Sequence, residues 1–208
     1  MSSSRFEYTP FWHHQVSKFK VLAAKKYPRP LIALFGDSLT EAFQANEFLP
    51  NISFANRGIS GDVAEAAIRR LDDSLITLKP DTILMMFGAN DIGLGYSDEE
   101  ILQNYGEMLG RIKAHLPVVS VYIQSILPTR DDLTRPNHRI TVLNERIKEL
   151  AATFNCNWLN LHTHFVDEDG RLAAAFTSDG LHLNGNAYQV WANILKNILT
   201  SSSTREQL

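Results

Sequence analysis

The run Leu31-Ile32-Ala33-Leu34-Phe35 ends at Gly36-Asp37-Ser38-Leu39-Thr40, and this stretch decides how the 208-residue chain is read. A continuous apolar run fits a strand buried on both faces, as in a parallel sheet. Gly-Asp-Ser then delivers a hydroxyl to the carboxyl edge of that sheet, where open α/β sheets bind their ligands. Ser38 is therefore a candidate nucleophile. The plainer alternative is a cap, because Ser38-Leu39-Thr40-Glu41 has the S-x-x-E spacing of a capping box. A nucleophile needs a base, an orienting carboxylate and donors for an oxyanion. A cap needs none of these, so the rest of the chain decides between the two.

Working outward, further short apolar runs stand at Ile52–Ala55, Thr82–Phe87, Val118–Ile123 and Trp158–Leu161. Stripes at helical spacing separate them. Ala64, Ala67, Ile68 and Leu71 form one, and Ile101, Tyr105, Met108, Leu109 and Ile112 form another behind the capping box Ser97–Glu100. Ile140, Leu143, Ile147, Leu150 and Ala151 follow a proline, Pro136, near the helix start. The last stripe is Ala187, Val190, Trp191, Ile194, Leu195 and Ile198. This alternation predicts an α/β fold with a five-stranded parallel sheet, doubly wound under right-handed crossovers. The chain reads as one domain over residues 1–208. An added helix is expected at Phe11–Lys26, within an N-terminal extension covering 1–29, and the polar Ser201–Leu208 is expected to fray.

With 44% hydrophobic and 21% charged residues, the composition is that of an ordinary globular protein. A net charge of −3 with scattered basic residues leaves no footprint for nucleic acid or an anionic membrane. The lone Cys156 rules out an intramolecular disulfide. The first residues lack the basic and apolar regions of a signal peptide, and no run is long enough to span a bilayer, so a cytoplasmic location is expected.

The joints after the strands hold the chemistry. Asn56-Arg57-Gly58-Ile59-Ser60-Gly61-Asp62 has glycines that leave backbone N–H groups accessible to an anion. Gly88-Ala89-Asn90-Asp91 puts an amide donor at a strand's end. Ser178-Asp179-Gly180-Leu181-His182-Leu183-Asn184 pairs a carboxylate with an imidazole across one turn, as a general base for serine requires. Each joint alone is an ordinary turn. Together, on one sheet edge, they supply a nucleophile, donors and a base–carboxylate pair.

Gly36-Asp37-Ser38-Leu39, Gly61-Asp62, Gly88-x-Asn90-Asp91 and Asp179-x-x-His182 resemble, in order, the four blocks of the GDSL, or SGNH, hydrolase superfamily over roughly residues 30 to 200. The resemblance implies a three-layer α/β/α sandwich of the flavodoxin-like kind. It implies Ser38 as nucleophile, Asp179 and His182 as its partners, and Ser38, Gly61 and Asn90 as the oxyanion hole. It also implies double displacement on a small-molecule ester, with no cofactor or metal and room for a homodimer. The chain length and the Asp179–Asn184 ending are most similar to bacterial single-domain acylhydrolases and to platelet-activating-factor acetylhydrolase catalytic subunits. A short acyl group is expected from this resemblance, with lysophospholipase and thioesterase activities as alternatives.

Several residues compete. Ser60 is the second serine considered, though it lacks the G-x-S-x-G elbow. His162-x-His164 would share one face of a strand, but without further placed ligands the pair reads as turn histidines. Arg57 is a candidate for an anionic substrate group, and Ile126 and Leu127 for an acyl wall. Thr129–Asn137 is a candidate mobile rim. The non-enzyme reading is a flavodoxin-like binding domain, which predicts a phosphate-cradling loop or an acidic cluster after the first strand.

Overall fold

The computed structural model describes residues 4–203 of the chain. Its strands are β1 (Leu31–Gly36), β2 (Ser53–Gly58), β3 (Thr82–Met86), β4 (Ser120–Gln124) and β5 (Asn157–Leu159). All pair in parallel, in the order β2-β1-β3-β4-β5. Side-chain alternation along the strands sets the layers. Leu31, Ala33 and Phe35 of β1, with Ile83 and Met85 of β3, enter one core; Ile32 and Leu34, with Leu84 and Met86, enter the other.

The first core is closed by α1 (Pro10–Ala23), α4 (Ala64–Arg69), α6 (Asp98–His115) and α7 (Asn137–Thr153). The second is closed by α2 (Ser38–Ala42), α3 (Ala45–Phe48) and α8 (Gly185–Ser203). A short α5 (Ala89–Gly93) follows β3. The chain is thus an α/β protein with a five-stranded, all-parallel sheet between two helical layers. From β1 the chain steps outward to β2 and then crosses back to β3. The resulting crevice lies between the carboxyl ends of β1 and β3.

The boundaries differ from the sequence reading where side chains extend or end an element. Asn56–Gly58 continues β2 rather than opening a turn. The Asn56 amide donates to the Thr40 and Phe43 carbonyls at 2.7 and 3.1 Å, and its oxygen accepts from Gly58 N–H. β5 stops at Leu159, before the expected end at Leu161. α1 ends at Ala23, short of Lys26, and starts on a Thr9 cap that accepts from Trp12 N–H. α8 runs through Ser203, and residues 204–208 of the tail expected to fray lie outside those described. The capping box at Ser97 and Glu100 is present in both directions.

Candidate active site

β1 ends in a turn so tight that a Cβ on Gly36 would stand 2.1 Å from Thr40 Oγ1 and 2.7 Å from the Met86 carbonyl oxygen. The cap of α2 is Asp37, whose carboxylate accepts from Leu39 N–H at 3.0 Å. This corrects the capping alternative for Ser38, which is the first helical residue. Its hydroxyl oxygen lies 3.2 Å from His182 Nε2. Glu41, the other half of the expected box, turns elsewhere. It accepts from Ser60 N–H at 2.8 Å, from the Ser60 hydroxyl, and from the Gln15 amide at 3.0 Å. Ser60 is thereby bound to a carboxylate, not to an imidazole.

His182 Nδ1 lies 2.7 Å from Asp179 Oδ2. The other carboxylate oxygen, Oδ1, accepts from the backbone N–H groups of Leu181 at 2.9 Å and His182 at 2.7 Å. The His182 hydrogen bond, then these two amides, hold the Asp179 carboxyl well below the usual carboxylate range. An ionised Asp179 fixes the Nδ1–H tautomer, leaving Nε2 as an acceptor toward the serine. The turn depends on Gly180. Its φ is +85°, and a Cβ there would stand 2.2 Å from the Arg130 carbonyl oxygen. Arg130 N–H in turn donates to the Gly180 carbonyl at 2.7 Å, docking the turn on the loop after β4.

Gly61 follows β2 with φ +78°, and its loop is tied to Asn90, whose amide donates to the Asp62 carbonyl at 3.0 Å. Under this loop is a buried charge network that the sequence reading missed. The Asp62 carboxylate accepts from Arg70 Nε at 2.7 Å and from the Trp12 indole N–H at 3.0 Å. Arg70 also donates to the Arg57 and Gly36 carbonyls, at 2.8 and 3.0 Å, and stacks 4.4 Å from the Phe35 ring centroid. One guanidinium therefore ties together the ends of β1 and β2.

Two more carboxyls are buried nearby. Burial pushes both Asp37 and Asp91 up to about 7. Asp91 accepts from Ala64 N–H at 3.0 Å through Oδ1, while Oδ2 is buried without a partner. A carboxyl raised this way holds its proton in the folded state at pH values where the unfolded chain has released it. Stability therefore falls as pH rises from the unfolded value near 4 through about 7, and is level above. Asp91→Asn keeps the Ala64 acceptor and removes the titration. Its urea midpoint should exceed wild type at pH 8 and converge on it toward pH 5. Parallel pH profiles for the two proteins would refute this assignment.

Arg57 is 1% exposed; its guanidinium donates to Tyr27 Oη at 3.2 Å and lies 5.2 Å from the Phe19 ring centroid. That corrects its reading as a substrate contact, because the side chain lies under the α1 layer. Ile126 and Leu127 are buried in opposite cores, and Ile126 sits against the bare backbone of Gly88. His162–His164 forms a 3₁₀ turn, not a strand, so the two imidazoles do not share a strand face. No group of three or more His, Cys, Asp or Glu side chains among the described residues is placed to hold a metal ion. The Thr129–Asn137 rim is tied at its base by paired 2.8 Å bonds between the Asn137 amide and the Thr129 backbone. No helix among the described residues is long and apolar enough to cross a membrane.

The Ser38, Asp179 and His182 arrangement can deprotonate a hydroxyl for attack on a carbonyl. The model of the GDSL-like lipase/acylhydrolase family matches residues 34–190. Platelet-activating factor acetylhydrolase IB subunit alpha2 of Rattus norvegicus is 25% identical over 183 residues, covering 85% of this chain and 78% of the relative. N-acylneuraminate cytidylyltransferase of Escherichia coli is 27% identical over 170 residues; the match spans 81% of this chain but only 40% of that protein. Among solved structures, one from Streptococcus pneumonia, provisionally described as a platelet activating factor, superposes with a TM-score of 0.85 at 27% identity, covering 90% and 92% of the two chains. A GDSL-like lipase from Bacteroides thetaiotaomicron shares the fold with a TM-score of 0.79 at 22% identity, covering 90% and 98%.

Proposed function

The chain belongs to the GDSL-like lipase/acylhydrolase family, and from that premise we propose that it is a serine esterase that cleaves carboxylic esters of short acyl groups, acetyl above all. The observation that carries this reading is the hydrogen-bonded line from Ser38 Oγ through His182 to Asp179, at 3.2 and 2.7 Å. His182 Nε2 takes the Ser38 proton as Oγ bonds to the ester carbon and the carbonyl electron pair moves onto oxygen. The Ser38 and Gly61 N–H groups and the free N–H of the Asn90 amide receive that oxyanion. Collapse expels the alcohol, protonated by His182, and leaves an acyl-serine. Water, deprotonated by His182, then attacks the acyl carbon; Ser38 departs with the proton and the carboxylic acid is released.

The acetyl preference has one support. A relative matched over 85% of this chain is an acetylhydrolase by name. The cytidylyltransferase name is not carried over, because the match spans only 40% of that protein.

A p-nitrophenyl ester series from acetate to decanoate, followed by acyl-CoAs and lysolipids, tests the reading. The highest kcat/KM is expected with acetate. Values rising with chain length would favour a lysophospholipase, and preference for acyl-CoA a thioesterase. No Ser38-dependent turnover of any substrate would leave the binding-domain reading. Asn90→Ala should lower kcat on the order of a hundred- to a thousandfold with KM little changed, since the donor acts on charge that develops only in the transition state. A loss confined to KM would remove Asn90 from the oxyanion site.

A further inference from the structure

We propose that α1 is part of the catalytic apparatus, with Trp12 and Gln15 as positioning residues that fix the Gly61 N–H from both sides. The inference rests on the hydrolase reading above. Gly61 is exposed, and a Cβ there would meet nothing within 4 Å, so no packing on Gly61 itself sets where its N–H points. Its two chain neighbours set it. On one side, Ser60 is held by the Glu41 carboxylate, which also accepts the Gln15 amide at 3.0 Å. On the other, Asp62 is held by the Trp12 indole at 3.0 Å and by Arg70 at 2.7 Å, and its carbonyl receives the Asn90 amide at 3.0 Å.

Trp12 and Gln15 are three residues apart and so share one face of α1. That face bonds Asp62 directly and Ser60 through Glu41, and through Asp62 it also reaches Asn90. Trp12 and Asp62 are both buried, where a hydrogen bond to a charge is stiff and poorly replaced by water. α1 lies before residues 34–190, the span matched by the family model. The positioning role is thus supplied by a part of this chain outside the shared blocks.

A buried indole N–H needs an acceptor whether or not it serves catalysis. The two roles differ in what they move: a purely structural bond lowers Tm and leaves kcat alone, whereas a positioning bond lowers kcat and leaves KM alone. Trp12→Phe keeps a ring in place and removes the donor. With p-nitrophenyl acetate, kcat should fall on the order of tenfold, less than loss of a whole oxyanion donor, with KM unchanged. Labelling by a fluorophosphonate should slow in proportion, and Gln15→Leu should show a smaller loss of the same kind.

Benzothienylalanine placed at position 12, which has the indole shape without the N–H, should reproduce the Trp12→Phe rate; it serves as the reading if the phenylalanine variant fails to fold. Wild-type kcat in the benzothienyl and Gln15→Leu proteins would overturn the inference and leave the esterase reading standing. Absence of Ser38-dependent turnover in the wild type would overturn both.

Discussion

Ser38→Ala should abolish ester turnover, lowering kcat by about a millionfold, while leaving the protein folded. The separation of these two effects follows from the geometry. Ser38 is not the cap of α2; Asp37 holds that position through Leu39 N–H. The Ser38 hydroxyl is bonded across the crevice to His182, so its removal breaks no bond that holds the strand–helix turn. The side chain is only partly buried, and its loss should change stability by less than about 0.5 kcal/mol. What is lost is the atom that forms the acyl bond. The residual rate would come from the oxyanion donors and substrate binding, which alone stabilise the direct attack of water. Steady-state turnover of p-nitrophenyl acetate, checked by loss of fluorophosphonate labelling, measures the effect. A Ser38→Ala protein retaining about a hundredth of wild-type kcat would remove Ser38 as nucleophile, since a true nucleophile deletion leaves far less.

What the sequence could reveal about this site follows the distance over which each feature is specified. Ser38, Asn90 and the Asp179–His182 pair were legible because strand end, turn and short spacing are local properties. The alternation of apolar runs and helical stripes likewise carried the sheet and its layers. Asp37 and Ser38 were harder to separate, because the choice of cap depends on whether β1 ends one residue earlier or later. Arg57 was misread for a related reason. Placed in a turn, its side chain could face the crevice; placed in β2, opposite Phe35 in register, strand parity sends it into the α1 layer. The Trp12–Asp62–Arg70 network had no signal at all. Its Trp12–Asp62 bond joins residues 50 positions apart, and nothing local to a helical tryptophan says that its indole will meet a buried carboxylate. The same holds for Glu41, whose spacing from Ser38 suggested a box that the fold uses to hold Ser60.

Asp179→Asn should lower kcat by about a thousand- to ten-thousandfold, close to the cost of replacing the triad carboxylate in other serine hydrolases. The size of the effect depends on which way the new amide turns, and the surrounding donors decide that. Oδ1 of Asp179 accepts two backbone N–H groups, from Leu181 at 2.9 Å and His182 at 2.7 Å. An asparagine must therefore place its carbonyl oxygen there, because an NH₂ facing two N–H donors would leave them all unpaired. The NH₂ then occupies the Oδ2 position, 2.7 Å from His182 Nδ1 in the native protein. A donor at that point is met only by an unprotonated Nδ1. The imidazole is forced into the Nε2–H tautomer and directs a hydrogen, not a lone pair, at Ser38. The base is lost although every heavy atom keeps its place. Asp179→Ala lacks the misdirecting donor, so His182 can still take the Nδ1–H tautomer with water at the vacated position, which the half-exposed site admits. The alanine variant should therefore be the more active of the two. The ordering of these two kcat values on p-nitrophenyl acetate checks the argument, and an asparagine variant faster than the alanine one would contradict it.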